Sequence, residues 1–345
     1  MKRLLKSGLA KSCAAAAVAV SFSLSPLAAG AAERTLTVSS WAPPTQGVNA
    51  IFLPEMIRQI EAATQGRVSG EIKYGLGSPP AQYDLVLDGA ADITWIFHGY
   101  TPGRFKATKL IELPGYTGSA EAASVAYWRA HEKFLARADE HKGVRLIGLM
   151  THGPGMLHSN TKIESLDRIS GMKLRLGGGV SGDVGAALGA TGINVPAPKV
   201  YETLASNAAD GVMMPMESKA GFKLYEVAKH TYSVPGGFYR GSFAIVMNPR
   251  TFAALSKADQ AALDKVFGEN LSRLAGQMWD TIDANGMKAL QAAPDNSFTE
   301  ASPADTAKWQ ALTGPIVQKV MAEVKSAGVD AEAARAFIAA QMAAY

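Results

Sequence analysis

Residues 68–97 read VSGEIKYGLGSPPAQYDLVLDGAADITWIF, and the order of elements in that stretch decides the fold. Val68 to Tyr74 reads as a strand, ended by the loop Gly75-Leu76-Gly77-Ser78-Pro79-Pro80. Gln82 to Asp88 reads as a short helix and Ala91 to Phe97 as the next strand. Strands alternating with helices in this way predict α/β lobes with largely parallel sheets. In the second strand, the two-residue period places Trp95 and Phe97 on one face.

The same alternation continues outward. Upstream, the β-branched run Thr35–Ser40 predicts a strand, and Ile51, Met56 and Ile60 recur at helical spacing before Gly66. Downstream, Val144 to Met150 predicts a buried strand, broken by Thr151-His152-Gly153-Pro154-Gly155. A second α/β unit follows, with strands at Met172–Leu176, near Val195 and at Gly211–Met214, and helices at Gly182–Leu188 and Lys199–Ala205. Ser242–Met247 predicts a further strand. From Ser256 to about Ala293 a helical period runs on without proline, with Gly276 and Gly286 as places for a bend. At about 1.5 Å per residue, such a helix would reach roughly 55 Å, longer than one small lobe. Two shorter helices, from about Pro303 and from Ala331, close the chain.

The amino terminus carries an export signal. Lys2, Arg3, Lys6 and Lys11 precede an apolar run from Cys13 to about Leu27, and Ala29-Gly30-Ala31 fits a cleavage site, so residues 1–31 are expected to be removed. That leader holds the only cysteine, so the mature chain is expected to have neither disulfide nor thiolate chemistry. It also holds four of the 34 basic residues and no acidic one, which leaves 30 basic against 30 acidic. With a net charge near zero and no cluster of lysine and arginine, no nucleic-acid partner is expected. No later stretch reaches the roughly 18 apolar residues that a membrane span needs.

Signals of catalysis are missing from the sequence. There is no H-E-x-x-H, no G-x-S-x-G and no Ser-His-Asp order. Gly177, Gly179 and Gly182 spell G-x-G-x-x-G after a strand. No acid stands at the ribose-binding spacing, where Val195 to Val200 lie, so these glycines read as a turn that lets backbone approach a ligand. His98 and His152 follow strand ends, where open α/β sheets bind ligands; His131 and His141 read as solvated. Arg175 is the residue set apart. It lies in an otherwise apolar strand, and its planar fork would suit a carboxylate. Trp95, Phe97, Met213 and Met214 are candidates for an apolar lining.

An ordered set of short motifs resembles the DctP-type substrate-binding proteins of tripartite ATP-independent periplasmic (TRAP) transporters. The carrying residues are Asp88-Gly89-Ala90-Ala91-Asp92-Ile93, Gly99-Tyr100-Thr101-Pro102-Gly103 and Leu113-Pro114. They continue with Ser170-Gly171-Met172-Lys173-Leu174-Arg175, Val200-Tyr201-Glu202-Thr203-Leu204, and Asn207-Ala208-Ala209-Asp210-Gly211 with Pro215. Each is loose alone, but together they run in order from Asp88 to Pro215.

The resemblance implies a two-lobed periplasmic-binding-protein-like fold with a long helix spanning both lobes. Lobe I is expected over 32–152 and 242–285, and lobe II over 153–241 and 286–345. It implies a non-enzymatic receptor in the periplasm that closes on a small-molecule carboxylate and delivers it to TRAP membrane permease subunits. A periplasmic enzyme using the same cleft is the alternative. By position, Arg175 would pair with the substrate carboxylate, and pocket positions would fall near Trp41, Gln82, Phe97, Thr151, Met214 and Phe238. Sialic-acid-binding members carry an Arg where this chain has Gly155, an Asn where it has Met214 and a Glu where it has Phe97. Those losses, with Trp41, Trp95, Met213 and Phe238, imply a relatively apolar or aromatic monocarboxylate. A metal-bridged ligand would have to use Glu217, and nothing else supports one, so no metal or cofactor is expected.

Overall fold

The structure, a computed structural model, describes residues 33–345; the expected leader lies outside the described residues. The hydrophobic periodicities resolve into two sheets. The first holds β1 (Arg34–Ser40), β2 (Val68–Tyr74), β3 (Ile93–Phe97), β4 (Arg145–Thr151) and a later strand, Ser242–Met247. The second holds β5 (Gly155–Ser159), β6 (Lys173–Leu176), β7 (Thr191–Asn194), β8 (Gly211–Pro215), β9 (His230–Ser233) and β11 (Ser297–Glu300). With Ser242–Met247 as β10, the orders are β2-β1-β3-β10-β4 and β11-β9-β5-β8-β6-β7.

The sheets are mixed rather than largely parallel. β1 pairs in parallel with β2 and β3, but β10 runs antiparallel to β3 and β4. In the second sheet β5 is antiparallel to β8 and β9. The cause is the chain's path. β4 runs straight into β5 through His152, Gly153 and Pro154, and the chain returns from β9 to β10 through residues 234–241. The two crossings pair with each other, Gly155 N–H donating to the Tyr239 carbonyl at 2.8 Å and Phe238 N–H to the Gly155 carbonyl at 2.9 Å.

The long C-terminal helix is shorter than its period suggested. Gly268, at φ +79°, takes a left-handed conformation that favours glycine and separates the helix Lys257–Val266 from Glu269–Ala292. The second helix has 24 residues, about 36 Å at 1.5 Å per residue, still enough to brace both lobes. Two acids one turn apart tie it down. The Asp280 carboxylate accepts the Ala120 and Glu121 N–H groups, at 2.7 and 3.0 Å, at the start of the lobe I helix Ala120–Lys133. Asp283 accepts the Glu217 N–H of lobe II at 2.7 Å. Gly276 and Gly286 do not interrupt the helix. They let backbone approach: a Cβ on Gly286 would lie 2.0 Å from the Met216 carbonyl oxygen.

The last helix, Ala331–Ala343, packs on the helix Ala120–Lys133, with Phe337 against Phe134 and Arg129 donating to Gln341 at 2.7 Å. The C-terminal stretch therefore braces lobe I as well as lobe II.

Gly276 supplies a stability test. In an exposed helix Gly→Ala stabilises by about 1 kcal/mol. Here the new Cβ would lie 2.4 Å from Glu121 Cα and 2.8 Å from the Ala120 oxygen, backbone atoms held by Asp280. Gly276→Ala is expected to reverse that sign and destabilise by about 1–3 kcal/mol in urea denaturation.

Candidate ligand-binding site

Between the sheets lies a cavity lined mostly by aromatic side chains. Its walls come from the strand ends and the two crossings. Trp95 and Phe97 enter from one face of β3, as the strand period requires. Trp41, just past β1, stacks on Trp95 with ring centroids 4.0 Å apart and donates its indole N–H to the Trp95 carbonyl at 3.0 Å. Trp95 donates in turn to the Ser40 hydroxyl at 2.8 Å. Phe243 of β10 lies 5.0 Å from Phe97 and 5.4 Å from Trp279 of the bracing helix. Nearly every ring is therefore held by another ring or by a hydrogen bond.

Arg175 enters from β6 and is only 2% exposed. Its Nε donates to the Val195 carbonyl at 2.8 Å, and one terminal nitrogen donates to the Tyr100 hydroxyl at 3.3 Å. The Ala197 N–H also donates to that hydroxyl, at 2.7 Å, so Tyr100 of lobe I ties Arg175 and the 195–197 segment of lobe II across the cleft. Among the described residues no carboxylate pairs with Arg175, and its Nη1 donates to no side chain or carbonyl. A buried guanidinium with only neutral partners leaves an unmet demand for negative charge.

His152 and Glu217 complete the polar lining. His152 Nδ1 donates to the Gly153 carbonyl at 2.6 Å, which leaves Nε2 as the acceptor of a neutral ring; burial lowers its pKa to about 3. Glu217 is 2% exposed; burial, and then the Asp283 carboxyl beside it, raise its pKa to about 8. Behind this wall His158 bonds the Met214 and Pro215 carbonyls at 3.1 and 3.3 Å and fixes the end of β8.

Of the expected residues, Trp41, Trp95, Phe97, His152, Arg175, Met214 and Glu217 line the cavity, and five do not. Gln82 spends its amide inside lobe I, accepting from Ser39 and Thr94 at 2.7 Å each and donating to the Gly77 carbonyl at 2.9 Å. His98 bonds Ser242 and His141, each at 2.9 Å. Thr151 is buried beside Ser124, whose hydroxyl accepts its N–H at 3.0 Å. Met213 neighbours Met214, and the strand period turns it to the opposite face, into the core. Phe238 packs edge-on against Trp309, 5.0 Å away. His141, expected to be solvated, is buried, because the turn after the lobe I helices folds it under Phe105 and His98. The cavity also gains residues not foreseen: Gln46, Tyr100, Phe222, Tyr239, Phe243 and Trp279 among them. Tyr100 stood in one of the motifs; the others come from crossings and helices that only folding brings here.

The lobes touch behind the cavity. Glu112 of lobe I accepts the Val180 N–H at 2.8 Å, at the start of the lobe II helix Val180–Ala187, and also accepts the Ser242 hydroxyl. Gly178, at φ +89°, lets the backbones meet, since a Cβ there would lie 2.3 Å from the Gly99 oxygen. Among the described residues no helix is long and apolar enough to cross a membrane.

A two-lobed α/β protein with one aromatic cavity between its lobes and a buried arginine in the wall has the form of a ligand-capturing receptor. Residues 42–324 match the DctP family, bacterial extracellular solute-binding protein family 7, and the chain belongs to it. It is 39% identical to a TRAP periplasmic solute-binding protein from Bordetella bronchiseptica whose structure holds (R)- and (S)-mandelate. That match has a TM-score of 0.87 and covers 90% of this chain and 98% of the other. A TRAP solute-binding protein from Rhodoferax ferrireducens in complex with benzoate is 25% identical, with a TM-score of 0.84 over 90% of this chain and 97% of that one. The outer membrane transporter protein TsaT of Comamonas testosteroni is 28% identical over 92% of this chain and 95% of its own length.

Buried titratable groups set a pH dependence. Burial holds His98, His152 and His158 at pKa about 3 and His131 at about 4, against an ordinary 6.5. As pH falls below 6.5 the unfolded chain takes up protons that the folded chain refuses, so stability is lost on acidification. Burial raises Glu112 and Asp283 to about 7 and Glu217 to about 8. The folded chain keeps those protons after the unfolded chain has released them near 4.5, so stability is lost as pH rises towards 7–8. Below 6.5 the histidines outnumber the carboxyls; from 6.5 to about 7 the carboxyl trend dominates, and above 7 the buried Lys219, whose pKa burial lowers to about 7, opposes it. Stability of the ligand-free protein is expected to peak between about pH 6 and 7. Urea denaturation from pH 4.5 to 8.5 checks this, and a steady rise through 8.5 would contradict it.

Proposed function

We propose that this chain is the periplasmic receptor of a TRAP transporter, that it captures an aromatic monocarboxylate by lobe closure, and that it hands the closed complex to the membrane permease. The carrying observation is Arg175, a buried guanidinium without an acid partner among the described residues, set in a cavity walled by Trp41, Trp95, Phe97 and Phe243. Its free edge suits a carboxylate in fork geometry, and the rings suit a planar apolar body. Mandelate and benzoate in the two solved relatives support the same class.

Closure follows from where the contacts come from. Trp41, Trp95, Phe97 and Tyr100 belong to lobe I, whereas Arg175, Met214 and Glu217 belong to lobe II. A ligand held from both sides favours the closed form by its difference in affinity for the two forms. The Gly153–Pro154 and 234–241 crossings and the bracing helix are the segments about which the lobes would turn.

A thermal-shift screen tests the reading. Benzoate, phenylacetate and mandelate are expected to raise the melting temperature, and succinate and a hexuronate are expected to do so far less. Arg175→Ala is expected to weaken binding of the responding acid by at least about 100-fold, the scale of a lost buried ion pair. Equal responses from wild type and Arg175→Ala would remove the proposed anchor. A response confined to the hexuronate would overturn the aromatic class.

A further inference from the structure

We propose that Glu217 is a specificity-determining residue whose carboxyl group hydrogen-bonds an uncharged oxygen of the ligand, so that the cavity prefers hydroxylated aromatic monocarboxylates to bare aryl acids. The inference rests on the aromatic-acid reading above and concerns the second polar end of the same cavity.

Glu217 follows β8 and opens the short helix Ser218–Gly221. Its backbone is pinned by Asp283 at 2.7 Å. Its side chain runs over Gly221, where a Cβ would lie 2.5 Å from Oε2, so that glycine leaves it room. Beside it stands Gln46, whose Oε1 already accepts the Val48 N–H at 2.7 Å, which leaves the amide nitrogen of Gln46 as a donor in the cavity wall. Among the described residues no Lys, Arg or His forms an ion pair with Glu217; the Gln46 side chain beside it is its hydrogen-bonding neighbour and leaves the rest of the carboxyl group to a ligand.

The charges around it are few. Asp283 lies beside it on the bracing helix, with Asp280 one turn away. Arg240 acts on Asp283 from the second crossing and donates to the His152 carbonyl at 3.4 Å. His152 is neutral, and Arg175 lies beyond ion-pair distance. An acid so buried and so close to another acid keeps its proton near neutral pH, with a pKa of about 8. Protonated, it offers one O–H donor and one carbonyl acceptor. A ligand whose carboxylate sits on Arg175 would place a ring or side-chain hydroxyl against a largely aromatic wall, where the Glu217 carboxyl is the one group among the described lining residues that can both donate to it and accept from it through a protonated acid. A second carboxylate there would meet an acid and no cation, so dicarboxylates are disfavoured.

Isothermal titration at pH 7 with phenylacetate, mandelate and 3-hydroxyphenylacetate, on wild type, Glu217→Gln and Glu217→Leu, tests the inference. Wild type is expected to bind at least one hydroxylated acid about tenfold tighter than phenylacetate. Glu217→Leu is expected to lose the preference, the ratio of the two affinities falling to about one; Glu217→Gln, which keeps a polar group in place, is expected to keep part of it. Between pH 7 and 9 the wild-type affinity for each anion is expected to fall as Glu217 ionises, and that of Glu217→Gln to fall less, since Asp283 alone then gains charge. An unchanged preference in Glu217→Leu, or none in wild type, overturns the role of Glu217 and leaves the aromatic-acid reading intact. Failure of every aryl acid to bind wild type overturns both.

Discussion

A guanidinium buried to 2% exposure, with no acid among the described residues to neutralise it, is the constraint around which this cleft is arranged. The protein offers Arg175 a carbonyl from Val195 and a hydroxyl from Tyr100, enough to aim the group but not to cancel its charge. Tyr100 belongs to the opposite lobe, and its hydroxyl also accepts the Ala197 N–H. The cation is thus held in place by both lobes at once, in a cavity whose other walls have almost no charge to offer. Electrostatics in such a site favour an anion strongly, because little water competes for the cation.

The rest of the fold makes that cavity and keeps it shaped. Two chain crossings hydrogen-bonded to each other form a narrow connection, and the helix Glu269–Ala292 lies across it. Asp280 and Asp283, one turn apart, reach to lobe I and lobe II respectively. The same two acids give the helix a second effect. Asp283 lies against Glu217 and raises the proton affinity of a carboxyl that lines the cavity. The bracing of the lobes and the chemistry of the site are therefore coupled through a single helix turn.

Much of the fold was legible because strand and helix periods are local. Trp95 and Phe97 share a face for a reason visible in any alternating strand, and Arg175 stood out as the one charge inside an apolar run. The five expected lining residues that lie elsewhere show where that reasoning ends. Met213 and Met214 are indistinguishable by composition, and only the register of β8 against β5 turns one to the cavity and the other to the core. Gln82 and His98 sit near strand ends, as ligand-binding residues do, but neighbours distant in sequence, Ser39, Thr94, Ser242 and His141, consume their hydrogen bonds.

By itself the sequence determined the α/β class, the two-lobed form and the family, and singled out the arginine, since each depends on local periodicity or on short motifs in order. The tertiary structure alone decided the rest of the wall. It brought Phe243 and Trp279 onto Phe97, buried the histidines as neutral rings, and set Glu217 beside Asp283. Gly268 also broke a helix that the period alone would have carried through. Those outcomes depend on which distant groups meet and on how much water they lose when they do, and neither quantity is written in any one stretch of the chain.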